Sequence, residues 1–376
     1  MKRLLLLIIM FAAVSCVYDY DIPVIGESSK ALVFDGSIIV GSKARLDISR
    51  ITPTGGKLPE EEDMIVLYTW WVEDEDGTVY NVDNSGTVDL STVPTDKAYK
   101  IVAKCDGKTY FSPLQKPIGA PQLDTLTFSS DGYAVYCNVS FQQDTAISKY
   151  VALSFEEIWQ FHTDFQKAFD VLTEYNEDST EVSYKVVELE HPDISRYYCW
   201  TQTMSSADIL VDLGSLGGKA IEYPINTFLT TNSRNHREYH IKVLARSLSD
   251  REYRFGNTLV SQDGGFNLFT PNPGEIAGNV SCEEVPSEHV YGYISTSSSS
   301  SIEAVLDQRY LKAMTPNPYS LVVPSPSVDL SVYLNDGMWP VAWMMLGDSM
   351  PVGWGKLRCI DCIEAGGTLE KPEFLN

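Results

Sequence analysis

Cys359-Ile360-Asp361-Cys362 carries the spacing of half a zinc site or of a redox pair. A closed zinc site takes four ligands, and no second cysteine pair stands at metal spacing in the sequence. The cysteines therefore read first as disulfide partners, with core thiols or a metal or redox pair as the alternatives. Setting aside Cys16 in the N-terminal leader, six of the seven cysteines remain, and six thiols admit 15 complete pairings among which a sequence cannot choose. Cys199, Cys282, Cys359 and Cys362 are the candidates for bridges.

The tightest histidine cluster is His236-Arg237-Glu238-Tyr239-His240, which lacks the His-Glu-x-x-His order of a zinc protease. Tyr239, Ile241 and Val243 alternate there with Glu238, His240 and Lys242, the period of a strand. Two strand residues four apart stand roughly 13 Å from each other, too far to share one zinc ion, so a solvated strand face is expected and no metal. The acidic "EDEDG" stretch of residues 73–77 fails the spacing of an EF-hand and reads as a hairpin tip. Trp339, Trp343 and Trp354, with Met338, Met344, Met345 and Met350, form the most apolar cluster outside the leader. Packing between strands is the default for them, and an exposed surface for a partner or ligand is the alternative. No Gly-x-Ser-x-Gly elbow and no phosphate-cradling loop ending in Lys-Ser or Lys-Thr occurs. An active site, if there is one, would have to assemble from scattered loop residues, and no cofactor is indicated.

One cysteine has a different chemistry. Lys2 and Arg3 precede eleven uncharged, largely apolar residues, 4–14, the arrangement of a secretory signal. That run is too short for a bilayer span, which takes roughly 20 residues. Ala13-Val14-Ser15 then places small side chains before Cys16, as a lipoprotein signal peptidase requires, although Ala13 stands where leucine is usual. The expectation is a signal peptide over residues 1–15, acylation of Cys16, and a flexible tether over residues 16–29. At about 0.8 kcal/mol per buried methylene, several acyl chains anchor a protein permanently.

The chain carries 51 acidic against 28 basic residues, a formal net charge of -23. Nucleic-acid binding needs a cationic footprint that releases counterions from phosphates, so it is excluded. From residue 31 onward, short apolar runs alternate with turn residues. Asp35-Gly36, Asp76-Gly77 and Asp106-Gly107 each fall between such runs, and Asp-Gly favours hairpin turns because glycine accepts positive φ. The fold class expected is all-β: an N-terminal immunoglobulin-like β-sandwich over residues 30–118, then a larger β-rich domain over residues 119–376 with a helical insertion near 156–175. The helix is suggested by Ile158, Phe161, Phe165, Phe169 and Leu172, spaced three or four apart. The serine run "TSSSSS" at residues 296–301 reads as a loop.

In order along the chain, "LVFDGSI", "DGTVYNV", "GKTYFSP", "YVALSFEEIWQF", "YYCW", "YHIKVLARSLSDREY", "FTPNPGEIAGNVSC", "VYGYIS" and "CIDCIEAGGTLEKPEFL" resemble the motifs of one family, the Bacteroidota outer-membrane lipoproteins carrying the domain of unknown function numbered 4249. The Glu-Glu-x-Trp of that family matches Glu156, Glu157 and Trp159. Where the family often ends Phe-Trp, this chain has Phe374-Leu375. The resemblance implies a lipid-anchored protein of the outer membrane, facing the periplasm or the cell surface, with a TonB-dependent receptor as its partner. It brings no catalytic residues. An accessory binding protein in nutrient uptake is therefore the function expected, with an envelope hydrolase and a surface-adhesion or structural lipoprotein as the alternatives.

Overall fold

The computed structural model describes residues 31–50, 66–141, 149–175, 182–215, 221–263, 278–288, 290–312, 321–325, 327–346 and 348–374; Cys16 and the tether lie outside the described residues. The N-terminal part forms β1 (Leu32–Val40), β2 (Lys43–Arg50), β3 (Tyr68–Asp74), β4 (Val79–Asn81), β5 (Val88–Asp89), β6 (Tyr99–Cys105) and β7 (Lys108–Phe111). There follow β8 (Leu123–Ser130), β9 (Ala134–Phe141), β10 (Tyr150–His162), β11 (Lys167–Tyr175), β12 (Val182–Asp193), β13 (Tyr198–Met204), β14 (Ile209–Asp212), β15 (Ile221–Leu229) and β16 (Glu238–Leu248). The last part contains α1 (Asp250–Asp263), β17 (Ser281–Cys282), β18 (Tyr291–Val305), α2 (Leu330–Asn335), β19 (Met338–Trp343) and β20 (Val352–Lys356). The fold is all-β, as its alternating runs and turns imply.

One long sheet, ordered β13-β10-β16-β18-β1-β2-β5 with β14 also bonded to β10, runs through the molecule. β18 is its centre, parallel to β1 (Val33 opposite Tyr291) and antiparallel to β16 (His240 opposite Val305). The sheet β17-β7-β6-β3-β4 covers the β1 half and encloses a first core around Phe34, Ile38, Val72, Tyr99 and Tyr110. That core also takes Val280, Cys282 and Ile294 from late in the chain. The sheet β15-β9-β8 covers the β10 half and encloses a second core around Val139, Leu153, Tyr239, Ile241 and Val243. A third, small core of Leu321, Val341 and Ile360 lies under the β19-β20 hairpin.

Three sequence expectations are corrected. Residues 156–175 are not a helix but the second half of β10, a turn and β11. β10 is covered on both faces, with Glu156, Glu157, Ile158 and Trp159 all buried, and such a strand loses its alternation and reads like a buried helix. The serine run is not a loop but the middle of β18, where Ser295, Thr296 and Ser297 are buried. Small polar residues hold a strand there because β1 takes up the backbone hydrogen bonds of residues 291–298 and β16 those of residues 299–305. Asp35-Gly36 is not a turn but the interior of β1, which turns instead at Gly41, φ 86°. A Cβ at Gly36 would lie 2.9 Å from the Arg45 carbonyl oxygen and 3.0 Å from Leu46 Cδ1, so the glycine serves close packing. The other two Asp-Gly pairs turn as read, Asp106 and Gly107 having φ of 52° and 74°.

Gly36→Val should therefore destabilise the protein by about 1–3 kcal/mol, the usual range for overpacking a filled site. Urea unfolding measures this, and an unchanged midpoint would contradict the packing described.

Candidate functional site

The Glu-Glu-x-Trp stretch of β10 divides between the two faces of the long sheet. Glu156 lies opposite Lys242 and Met204, while Glu157 and Trp159 lie opposite Ile241 and Tyr239 and point into the second core. A 3-10 turn, Ser233–Asn235, capped by the Asn232 side chain, brings Arg234 to Glu157. Arg234 Nε donates to Glu157 Oε1 at 2.8 Å and Nη2 to Oε2 at 2.7 Å. Tyr239 Oη and Asn226 Nδ2 also donate to Oε1, each at 2.6 Å. The guanidinium lies 4.2 Å from the Trp159 ring centroid, and Trp159 Nε1 donates to Ser233 Oγ at 3.1 Å. Burial, then the Glu157 charge, raise Tyr239 well above a normal phenol. Burial, with the same charge adding, pushes Cys137 up to about 12. Four donated hydrogen bonds fix this buried carboxylate in place, so that it braces the core.

The next residues of the same loop meet the end of β10. The His162 ring stacks on His236 at 4.6 Å and on Tyr197 at 5.1 Å, and Arg237 lies 4.2 Å over Tyr198. Both His236 ring nitrogens are buried without a partner, and burial, then His162, depress its pKa to about 4. His240 points the other way, onto the outer face. That face is not solvated as the sequence suggests, because the C-terminal segment crosses it. Lys371 Nζ reaches His240 Nε2 at 2.8 Å and Glu238 Oε1 at 3.1 Å and sits 4.8 Å over the Trp200 ring. Backbone bonds between Trp200 and Thr368, 2.7 and 2.8 Å, hold the segment down. Among the described residues, no three of His, Cys, Asp and Glu converge as metal ligands.

Cys199 and Cys362 form a disulfide that ties β13 to this segment, whereas Cys282 and Cys359 are free thiols, as are Cys105 and Cys137. Cys362 is drawn to β13 by its own N–H, which donates to the Arg196 carbonyl at 2.9 Å, and by the 2.7 Å pair of Arg196 with Asp361. In the acidic hairpin tip, Asp74 is itself buried. Burial alone would raise its pKa, but Lys97 Nζ at 2.9 Å, Thr78 N at 2.8 Å and Asp76 N at 3.0 Å outweigh it and hold the group at about 2.

The three tryptophans part company. Trp354 is buried beside the third core. Trp339 is half-buried between hairpins, its Nε1 donating to the Phe169 carbonyl at 3.4 Å with Lys167 5.6 Å over its ring. Trp343 stays 48 % exposed, edge-on to Phe169 at 5.3 Å, with Nε1 donating to Glu188 Oε1 at 3.1 Å. From that contact the pairing of β11 with β12 carries one face outward through Val171 opposite Val186, Thr173 opposite Tyr184 and Tyr175 opposite Val182. Beyond Trp343, Met345 at 85 %, Leu346 and Met350 are exposed at the end of the β19-β20 hairpin. Trp343, the ladder and these side chains make an apolar ledge rich in the aromatic and methionine residues that mark interface centres. The ladder residues were missed in the sequence because the helical spacing over 156–175 masked their alternation, which β12 shows plainly.

Two sandwiches built on one shared sheet, closed at one end by a disulfide and bearing an exposed ledge there, define the class as a multi-sheet β-sandwich protein. The chain belongs to the DUF4249 family: residues 17–303 match the domain of unknown function (DUF4249). The match ends inside β18, so β19, β20 and the terminal Cys-x-x-Cys block lie beyond it. No curated protein matches the chain.

Two outcomes follow. Arg234→Ala strands a buried carboxylate and should cost about 3–5 kcal/mol, read from chemical unfolding; a loss below about 1 kcal/mol would refute the bracing role. His236 is neutral in the folded state and charges more readily when unfolded, so stability is retained above pH 6.5 and is lost as pH falls from 6.5 towards 4. His236→Phe should flatten that limb, which lies above the window in which Asp74 titrates, and equal slopes in the two proteins would contradict the assignment.

Proposed function

We propose that the chain is a cell-envelope lipoprotein of the Bacteroidota outer membrane, anchored through acylated Cys16, and that it serves a TonB-dependent receptor as an accessory binding protein in nutrient uptake. The observation that carries the docking role is the ledge at Trp343, a half-exposed tryptophan continued by tyrosine, valine, methionine and leucine side chains instead of being covered by them. The leader before Cys16 supports the anchor, and the Cys199–Cys362 disulfide suits an oxidising compartment outside the cytoplasm. A shared membrane raises the effective concentration of two anchored partners, so a modest interface suffices.

Purifying the lipidated protein from membranes should bring down a large β-barrel. A Trp343→Ala, Met345→Glu double variant should lower that yield by at least about tenfold, as loss of an aromatic interface anchor does. Cys16→Ser should move the protein into the soluble fraction. Recovery of the lipoprotein alone would contradict the receptor role, and membrane retention of Cys16→Ser would contradict the anchor.

A further inference from the structure

Among the described residues, β12 is bonded along one edge only. Its pairing with β11 runs from Tyr175 opposite Val182 to Lys167 opposite Asp193, and among the described residues no other strand pairs with it and no further backbone bond reaches it. A free edge presents a row of unpaired N–H and C=O groups and is a template for another strand unless lysine, proline or a bulge blocks it. Here the guards gather at the root of the hairpin, where Pro192 stands and the register shifts between Lys167 and Phe169. Residues 182–188 pair with β11 without a break, with Lys185 as their one cation.

The ledge-facing side chains of β12 are, in order, Val182, Tyr184, Val186 and Glu188, because residues 182–188 alternate in unbroken register and Glu188 is the one bonded to Trp343; Glu190 follows two residues on, where the register shifts. Three apolar positions are thus followed by two carboxylates. The two strands β11 and β12 carry five acidic residues, Asp170, Glu174, Glu188, Glu190 and Asp193, against Lys167 and Lys185.

We propose that the free edge of β12 takes an extended segment of a partner protein by antiparallel strand addition, and that this segment presents two basic and then three apolar side chains at alternate positions. Main-chain bonds to the edge supply affinity. Alternate side chains supply specificity: the apolar ones lie beside Val186, Tyr184 and Val182, and the basic ones beside Glu190 and Glu188, where opposite charges on adjacent strands attract. This deepens the docking role proposed above and rests on it for the identity of the surface.

The probe is the blocked nonapeptide Lys-Thr-Lys-Thr-Val-Thr-Val-Thr-Val, fluorescently labelled and titrated with the full mature chain in detergent, with anisotropy as the readout. Saturable binding is expected. Exchanging both lysines for glutamate should weaken it by at least about tenfold, as should N-methylation at alternate residues, which removes the donors. The Glu188→Lys, Glu190→Lys double variant should reverse the preference and bind the glutamate peptide better than the lysine one, a gain that a misfolded variant could not show. No saturable binding, equal binding of the N-methylated peptide, or no reversal in the charge-swapped variant would each overturn strand addition. If the peptides fail while the β-barrel is still recovered in a Trp343-dependent manner, strand addition falls and the docking role stands; if the β-barrel is also lost, the docking role falls with it.

Discussion

The structure depends on the pairing of β18 with β1 along its first half and with β16 along its second. Its parallel contact with β1 and its antiparallel contact with β16 join a strand from the start of the chain to the strands of the second sandwich. Neither half of the long sheet would be continuous without it. The two cores sit on opposite halves of the sheet this strand holds together, and its buried serines and threonine owe their place to the backbone ladder with β1 more than to their side chains. Thr296 and Ser297 leave their hydroxyls without partners, a desolvation cost of about 1–3 kcal/mol each that the ladder with β1 offsets.

The same strand fixes where the ledge lies relative to the chain's entry into the fold. Leu32, the first residue of β1, lies beside the start of β18, while His240 and then Ile158 of β10 lie beside its end. Fifteen residues of strand separate those points, roughly 50 Å at about 3.3 Å per residue. β10 then runs on to His162, from which the turn to β11 departs, and the Cys199–Cys362 bridge closes that same end. Under the lipoprotein reading, the anchor attaches at one end of the sheet and the docking ledge projects from the other. The Glu157–Arg234 centre lies between them and keeps β10 and β16 rigid where the second core meets the histidine stack.

Much of this was legible in the residues. The all-β class, the Asp106-Gly107 and Asp76-Gly77 turns and the alternation of β16 follow from period-two patterning and glycine conformation, both local properties. What could not be read was set by distant partners. Glu156 to Trp159 look helical because both faces of β10 are covered, and "TSSSSS" looks like a loop because a serine strand is stabilised by neighbours 50 or more residues away. The bridge of Cys199 to Cys362 instead of Cys359 depends on the Arg196 contacts, across 163 residues of sequence. Of the tryptophans, the sequence named all three, but only the packing of Phe169 and Glu188 singles out Trp343 as the outward one.

Native-state hydrogen exchange of the amides of residues 295–301 tests the shared sheet most directly. If β18 joins the two sandwiches, these amides exchange as slowly as those in the middle of β10 and β16, near the limit set by global unfolding. Exchange at the rate of an open serine loop would contradict the account, because the start of β1 and the ledge would then have no common sheet between them.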